Sequence, residues 1–226
     1  MPRATQYTDN FNRSDRSLDT DVGGTPATEW DGAYTGRDGH QIVTNVVKAS
    51  GDVGVQVLTI SRAVLANDQY AKGKIDTFSA SGDWCGVVVR CANEPTVNHY
   101  MVLARSGAGL TQLYRVDGGT LVSLGSVANP GWVVGDTVEL EAIGTAITAL
   151  RNGVTIGLSA TDAIYASGRA GMTTATSTGQ NNNMKMDDFE AGNITAGSGG
   201  SRRRRQGTSA AMRQLLKTDV WEAWPT

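Results

Sequence analysis

Between residues 6 and 191, apolar and polar residues alternate with a period of two, in short runs separated by Gly, Asn and Asp. Successive side chains of a strand point to opposite faces, so this period predicts β-structure. The clearest predicted strands span residues 99–105, 111–116, 120–127 and 136–144. About a dozen such runs follow one another at the spacing of an antiparallel sandwich or barrel. We therefore expect residues 1–195 to form a single all-β domain.

Two short sequences predict tight hairpin turns. Asn152-Gly153 joins two β-rich runs and suits a two-residue type I′ turn, in which both residues have φ > 0. The sequence "VDGGT", residues 116–120, predicts a second turn of this kind. Strands on both sides of each turn then pair as antiparallel neighbours.

Several motifs that follow one another along the chain resemble a known family. They are "DNFNRSDRSL", "WCGVVVRCAN", "TQLYRVDGGTLVSLGS", "GDTVELEAIGTAITALRNGVTIGLSATD", "ASGRAGM" and "MKMDDFEAGN". In this order the chain resembles the concanavalin A-like lectin/glucanase jelly rolls, in particular the laminin-G-like modules common in bacterial and bacteriophage proteins. The resemblance implies an antiparallel two-sheet jelly-roll sandwich whose first and last strands lie side by side.

The family resemblance implies carbohydrate binding as one activity. Sugar faces stack on aromatic rings, and nearby polar groups bind the hydroxyls. Trp30, Tyr34 and His40 lie in the Gly- and Asp-rich stretch "EWDGAYTGRDGH" and are the candidate glycan contacts. In the alternative interpretation, Trp30 and Tyr34 pack at the edge of the sandwich.

A glycoside hydrolase is a further alternative. Glucanases of this superfamily carry a pattern close to Glu-x-Asp-x-x-Glu, and two of its carboxylates act as nucleophile and acid. Residues 139–144, "ELEAIG", provide Glu139 and Glu141 but lack the last carboxylate. The same alternation is typical of a solvated strand face. We therefore expect no enzymatic activity.

A structural calcium ion is the one cofactor that the sequence suggests. If the terminal strands pair, Asp9 approaches Asp187 and Asp188, and carboxylate oxygens are the ligands that Ca²⁺ prefers. We expect no other cofactor.

The two cysteines are not expected to form a disulfide. Cys85 and Cys91 lie six positions apart in one predicted strand, which separates their Cα atoms by about 20 Å. A disulfide requires less than about 7 Å. We expect both to be buried on one face of the sheet.

Charge is distributed unevenly along the chain. The net charge is −2, but residues 196–226 contain six basic and two acidic residues, so this segment carries +4 and residues 1–195 carry −6. The beginning of the chain is polar and no run is long and apolar enough to span a membrane, so we expect synthesis in a host cytoplasm without a signal peptide. Residues 1–195 contain no stripe of basic residues that would accompany the basic segment 196–226. Nucleic acid is therefore not the expected partner.

The last segment has the features of a docking arm. "GSGGS" is typical of a flexible tether, and the arginines after it suit a phosphate or acidic surface. Met212, Leu215 or Leu216, and Val220 follow at helical spacing, and such a short helix is marginal on its own. Tryptophans near the end are typical interface anchors. The predicted docking residues are Arg202, Arg203, Arg204, Arg205, Met212, Leu215, Leu216, Val220, Trp221 and Trp224.

These features together predict a non-enzymatic structural component of a bacteriophage virion. The arm would bind another virion protein of the shell, neck or tail, and the jelly roll would face outward as a capsid decoration or fibre-associated element. Host-surface glycans are the second predicted partner, and we expect a homo-oligomer in the assembly. The first alternative is a stand-alone lectin module in which the arm is incidental. The second is the glycoside hydrolase described above.

Overall fold

A computed structural model describes residues 1–18, 30–31, 40–49, 54–60, 64–78, 84–92, 98–107, 109–176 and 184–195. These residues form sixteen β-strands. In chain order the strands are β1 (Arg3–Asp9), β2 (Arg16–Ser17), β3 (Trp30–Asp31), β4 (His40–Val43), β5 (Val46–Ala49), β6 (Gly54–Ile60), β7 (Gln69–Thr77), β8 (Trp84–Cys91), β9 (His99–Arg105), β10 (Leu110–Asp117), β11 (Thr120–Ala128), β12 (Thr137–Ile143), β13 (Ala146–Arg151), β14 (Val154–Thr161), β15 (Arg169–Thr176) and β16 (Lys185–Ile194).

The strands form two antiparallel sheets. One sheet has nine strands in the order β14-β13-β12-β7-β16-β5-β4-β2, with β1 also paired to β16. The other has seven strands in the order β11-β10-β9-β8-β15-β6-β3. The all-β sandwich expected from the period of two is confirmed, and β9 has the predicted bounds.

The main core lies between the two sheets. Alternate residues of each strand point into it, as the period of two requires. Along β12, Val138, Leu140 and Ala142 are buried in this core. On the facing sheet, the inward side of β8 and β9 contributes Val87 and Val102, which are also completely buried.

The first and last strands of the domain are neighbours. β1 pairs antiparallel with β16, and Asp9 lies opposite Phe189 while Arg3 lies opposite Ile194. The arrangement implied by the family resemblance is therefore confirmed.

Both predicted hairpin turns have the expected backbone. Asn152 and Gly153 have φ of 52° and 76°, and Gly118 and Gly119 have φ of 54° and 86°. Positive φ at both central residues defines the type I′ geometry. These turns join β13 to β14 and β10 to β11.

The prediction that Cys85 and Cys91 share one sheet face is wrong. Both thiols are buried and form no disulfide, but Cys85 lies in the core between the sheets and Cys91 lies in a separate cluster. Arg90 has φ of 53°, and the pairing of β8 with β15 shifts between Arg169 and Gly171. This bulge adds one residue to β8 and turns Cys91 to the opposite side.

Residues Met1–Thr195 form one compact unit. Within the described ranges, no helix has the length and apolar character needed to cross a membrane.

Candidate functional site

A cleft of about 650 Å³ lies where several connections between strands meet. Its walls come from the segment before β7, the turn between β12 and β13, and the connection from β14 to β15. Its lining includes Asn67, Asp68, Arg90, Thr145 and Tyr165. The loops that join strands of a rigid sandwich are common positions for binding residues.

Arg90 holds three walls of the cleft together. Its side chain is almost fully enclosed, since the residue is 1% exposed. Nε and Nη2 donate to the carbonyl oxygen of Asn67 at 3.0 and 2.7 Å. Nη2 also donates to Gly144 O at 2.7 Å, and Nη1 donates to Tyr165 O at 3.0 Å. A charged donor strengthens such bonds, so one guanidinium ties three loops to the end of β8.

Gln69 also holds backbone groups near the cleft in place through hydrogen bonds. It is completely buried, and its Nε2 donates to Ala66 O at 2.9 Å and to Gly168 O at 3.3 Å. Its Oε1 accepts from the backbone N–H of Arg90 at 2.9 Å. Gly168 has φ of 145°, and a Cβ there would lie 2.5 Å from the carbonyl oxygen of Cys91. Only glycine allows this close approach of the two backbones.

A polar network fixes the connection that carries Tyr165. Asp162 accepts from the Tyr100 hydroxyl at 2.7 Å and also pairs with Arg115. Burial alone would raise the pKa of Asp162, but these donors lower it. The Tyr165 hydroxyl donates to Asp117. Burial and that bond raise the pKa of Tyr165 to about 12. The Tyr165 ring packs on the Tyr100 ring, with centroids 5.5 Å apart.

The rim of the cleft carries groups that suit a polyhydroxylated ligand. Asn67 and Thr145 are exposed, and Asp68 is half-buried with Oδ1 accepting from Gly144 N at 2.7 Å. An amide, a carboxylate and a hydroxyl together provide donors and acceptors for vicinal hydroxyls. No pattern in the sequence analysis predicted these residues as a binding site. The polar pair Asn67-Asp68 in front of a strand was the signal available.

Trp30 is not a sugar platform. It is 5% exposed, and its Nε1 donates to Asp9 Oδ2 at 2.7 Å. Its ring lies between Phe11 and Phe189, at centroid distances of 5.7 and 5.1 Å. The packing alternative describes its position, because a buried ring has no face for a ligand. Tyr34, its expected companion, lies outside the described residues.

His40 is also placed in the interior. It is completely buried, and Nε2 lies 3.1 Å from Thr174 Oγ1 on the facing sheet. Burial lowers the pKa of His40 to about 3, so the ring is neutral. The structure therefore contradicts a direct contact between this histidine and a glycan.

The three aspartates of the expected calcium site do not converge as ligands. Asp9 accepts from Phe11 N at 2.8 Å, from the Arg13 guanidinium at 2.7 and 2.9 Å, and from Trp30. These donors occupy the lone pairs that a cation would need. Asp188 pairs instead with Lys74 at 3.1 Å.

Asp187 does not complete a cluster with the other two aspartates. Across the described ranges, no group of three or more His, Cys, Asp or Glu side chains is placed to hold a metal ion. Within the described residues, Asp9, Asp187 and Asp188 are therefore not assembled as a metal site.

Glu139 and Glu141 are linked by one arginine. Arg3 Nη2 donates to both carboxylates, at 2.7 Å from Glu141 Oε1, and its guanidinium lies 4.7 Å from the centre of the Tyr70 ring. Burial raises the pKa of Glu139, and Arg3 opposes that shift. The pair connects β1 to β12, and neither residue lines the cleft.

The predicted docking arm is outside the described residues. This applies to all ten of its residues, which are Arg202, Arg203, Arg204, Arg205, Met212, Leu215, Leu216, Val220, Trp221 and Trp224. Their role stays a prediction.

Comparisons with known proteins show the fold. No protein-family model and no curated protein matches the sequence. Among solved structures, a carbohydrate binding module, CBM66 from Bacillus subtilis, has a TM-score of 0.56 and 15% identity, covering 74% of this chain and 94% of that one.

Two further solved structures are similar. The exoplasmic/lumenal domain of VIP36, in a Ca²⁺- and Man3GlcNAc-bound form, has a TM-score of 0.55 and 7% identity, covering 74% of this chain and 84% of that one. A protein of unknown function with a galectin-like fold from Bacillus subtilis has a TM-score of 0.54 and 13% identity, covering 84% and 96%. These similarities confirm a two-sheet jelly-roll sandwich.

Proposed function

We propose that this chain is a carbohydrate-binding module that holds a neutral sugar in the cleft. The observation that carries the proposal is the combination of groups at its rim. The lining includes the half-buried aromatic residue Tyr165, and Asn67, Asp68 and Thr145 contribute an amide, a carboxylate and a hydroxyl. A sugar has apolar C–H faces that suit an aromatic ring and hydroxyls that suit such polar groups.

The rigid construction of the cleft supports a binding role. Arg90 and Gln69 hold the surrounding backbone through buried and partly buried hydrogen bonds, and Asp117 fixes the Tyr165 hydroxyl. A site that is already ordered loses less conformational entropy when a ligand binds. Small-molecule sites are usually preformed in this way.

The accessible charge favours neutral sugars over acidic ones. The Arg90 guanidinium is enclosed and donates to three carbonyl oxygens, so it is not presented to a ligand. Asp68 is the charged group at the rim. An acidic sugar would therefore approach a carboxylate of the same sign.

The similar structures support the same class of ligand. CBM66 is a carbohydrate binding module, and VIP36 was solved with mannose-containing ligands. A shared fold does not determine function, so the rim chemistry is the stronger argument. Calcium is not part of the proposal, because Asp9 already accepts several hydrogen bonds.

The proposal predicts measurable sugar binding that depends on the rim. Calorimetric titration of the full chain with mannose oligosaccharides and other neutral sugars should give a Kd of about 1 mM or tighter. Thr145→Ala and Asn67→Ala should each weaken it about tenfold, or about 1.4 kcal/mol, because each removes a hydroxyl-binding group. Thr120→Ala is the matched control, since Thr120 is exposed beside another hairpin turn.

Two results would contradict this proposal. One is the absence of binding to any neutral sugar on a glycan array. The other is release of reducing sugar that is abolished by Glu139→Gln or Glu141→Gln, which would establish the hydrolase alternative instead.

A further inference from the structure

The segment from residue 66 to residue 68 forms one wall of the cleft and carries two of its polar side chains. Asn67 is exposed and Asp68 is half-buried, and both line the cleft. The segment comes directly before β7 and belongs to no strand. Because no strand ladder pairs its backbone groups, its position depends on hydrogen bonds to other parts of the domain.

Two side-chain amides hold the backbone of Ala66, where this segment begins. The N–H of Ala66 donates to Asn193 Oδ1 at 2.8 Å, and its carbonyl oxygen accepts from Gln69 Nε2 at 2.9 Å. Asn193 and Gln69 lie directly opposite each other in the pairing of β16 with β7. One cross-strand pair of amides therefore sets where the segment begins.

β16 also holds the other end of the segment. The N–H of Ile194, which follows Asn193 in β16, donates to the carbonyl oxygen of Asp68 at 2.8 Å. Between these two points, the carbonyl oxygen of Asn67 accepts from Arg90. Because β16 bonds to the segment at two positions, it fixes the orientation of the segment as well as its distance.

Asn193 has a fixed position of its own. It lies between Ala4 of β1 and Gln69 of β7, so β16 is paired on both sides at this point. Side chains on paired strands are placed more precisely than side chains on loops. Asn193 is not among the residues that line the cleft, so it acts on a ligand through the segment that it holds.

We propose that Asn193 is a positioning residue of the sugar site, which places Asn67 and Asp68 through its hydrogen bond to Ala66. This inference rests on the proposed function, because it concerns the affinity of the same cleft. The bond between Ala66 and Asn193 is exposed, so water can replace Oδ1 when the side chain is removed. A segment that is less ordered loses more conformational entropy when a ligand binds. The loss should therefore appear in sugar affinity and not in the stability of the fold.

Calorimetric titration of full-length variants tests the inference, with the neutral sugar that the wild type binds most tightly on a glycan array. Asn193→Ala should raise the Kd about fivefold and leave the midpoint of urea denaturation nearly unchanged. Asn193→Asp retains an acceptor oxygen at the same position and should restore the Kd to within about twofold of the wild type.

Asp15→Ala is the matched control. Asp15 Oδ1 accepts from the backbone N–H of Thr44 at 2.7 Å, so this variant also removes one exposed bond between a side-chain oxygen and a backbone N–H. Neither residue lines the cleft. The Kd for the sugar should be the same in Asp15→Ala as in the wild type.

A double variant separates positioning from a general structural effect. If Asn193 acts through the segment, Asn193→Ala should weaken binding at least about twofold less in a protein that already carries Asn67→Ala, because the effects of residues in one network are not additive. A general loss of folded protein would weaken binding by the same factor in both backgrounds.

Hydrogen exchange of single amides, followed by NMR, gives a measurement that needs no ligand. The Ala66 amide should exchange several-fold faster in Asn193→Ala than in the wild type, and Asn193→Asp should restore the slower rate.

Several results would overturn this inference alone and leave the proposed function standing. They are an equal Kd in the wild type and Asn193→Ala, an unchanged exchange rate of the Ala66 amide, and additive losses with Asn67→Ala. An Asn193→Ala variant that fails to fold overturns it too, because the expected stability is close to that of the wild type. A wild type that binds no neutral sugar overturns both the proposed function and the inference.

Discussion

Arg90 has an enclosed, positively charged guanidinium group that donates hydrogen bonds to main-chain oxygens. The carbonyls of Asn67, Gly144 and Tyr165 accept from its guanidinium. Burial lowers the pKa of Arg90, and the three carbonyl oxygens replace hydrogen bonds to water that the enclosed guanidinium loses. The residue therefore links the stability of the domain to the shape of the cleft.

Replacement of this arginine should be costly. Arg90→Met keeps much of the apolar stem but leaves three partly buried acceptors without their donor, and such a group costs about 1–3 kcal/mol when it is fully buried. We expect the free energy of unfolding, measured by urea denaturation, to fall by about 3 kcal/mol and sugar binding to weaken. Lys74→Met is the control, because Lys74 forms a surface pair with Asp188 that contributes about 1 kcal/mol or less. Equal losses in the two variants would refute this role.

Single residues also show where sequence patterns stop being informative. The turn at Asn152-Gly153 was predictable because positive φ is an intrinsic preference of those two residues. The turn at Thr44 and Asn45, with φ of 54° and 64°, was not predictable, because a β-branched residue such as Thr44 rarely adopts such angles. The bulge at Arg90 was hidden because "WCGVVVRC" has the composition of one continuous strand.

At the level of elements, His40 connects the two sheets. It lies on β4 of the nine-stranded sheet and contacts Thr174 on β15 of the seven-stranded sheet. Its pKa is about 3 in the folded state, against 6.5 for the ordinary side chain. Below about pH 6.5 the unfolded chain binds a proton that the folded chain does not, so acid destabilises the fold through this residue.

This contact predicts a pH dependence that one variant removes. Between about pH 6.5 and about pH 4, His40 should contribute a loss of up to about 1.4 kcal/mol per pH unit, and the loss should be absent above that range. Urea denaturation of the wild type and of His40→Gln measures the difference between their slopes. Thr174→Ala is the control, since it removes the partner but retains the titrating ring. Parallel slopes for wild type and His40→Gln would contradict the assignment.

The strands themselves were more predictable than the site. Alternation along β9 and β12 is local, and it gave their positions to within a residue. The cleft instead depends on which distant connections meet, such as residues 67, 144 and 165, and no local pattern contains that information. Trp30 illustrates the same limit, because its partners Asp9 and Phe189 come from the two ends of the domain.

At the scale of the whole molecule, the proposed activities occupy different places. The cleft belongs to residues 1–195, which carry a net charge of −6. The predicted docking residues belong to the basic segment 196–226. A carbohydrate-binding module attached to a virion through its arm would therefore satisfy both hypotheses. The two hypotheses can be tested by separate substitutions.

Charge is the property of the arm that a substitution can test. Replacing Arg202, Arg203, Arg204 and Arg205 by serine in the full chain removes four of its six positive charges. If the arm binds an acidic or phosphate-bearing surface of a virion, the amount of this protein in purified virions, measured by mass spectrometry, should fall several-fold, because guanidinium groups bind carboxylates and phosphates in pairs of hydrogen bonds. Four lysines at the same positions are the control and should restore part of the occupancy through charge alone. The Kd for sugar should be the same in all three proteins, since Asn67, Asp68, Thr145 and Tyr165 are not substituted. Full occupancy of the serine variant would show that the arginines do not attach the protein to the particle.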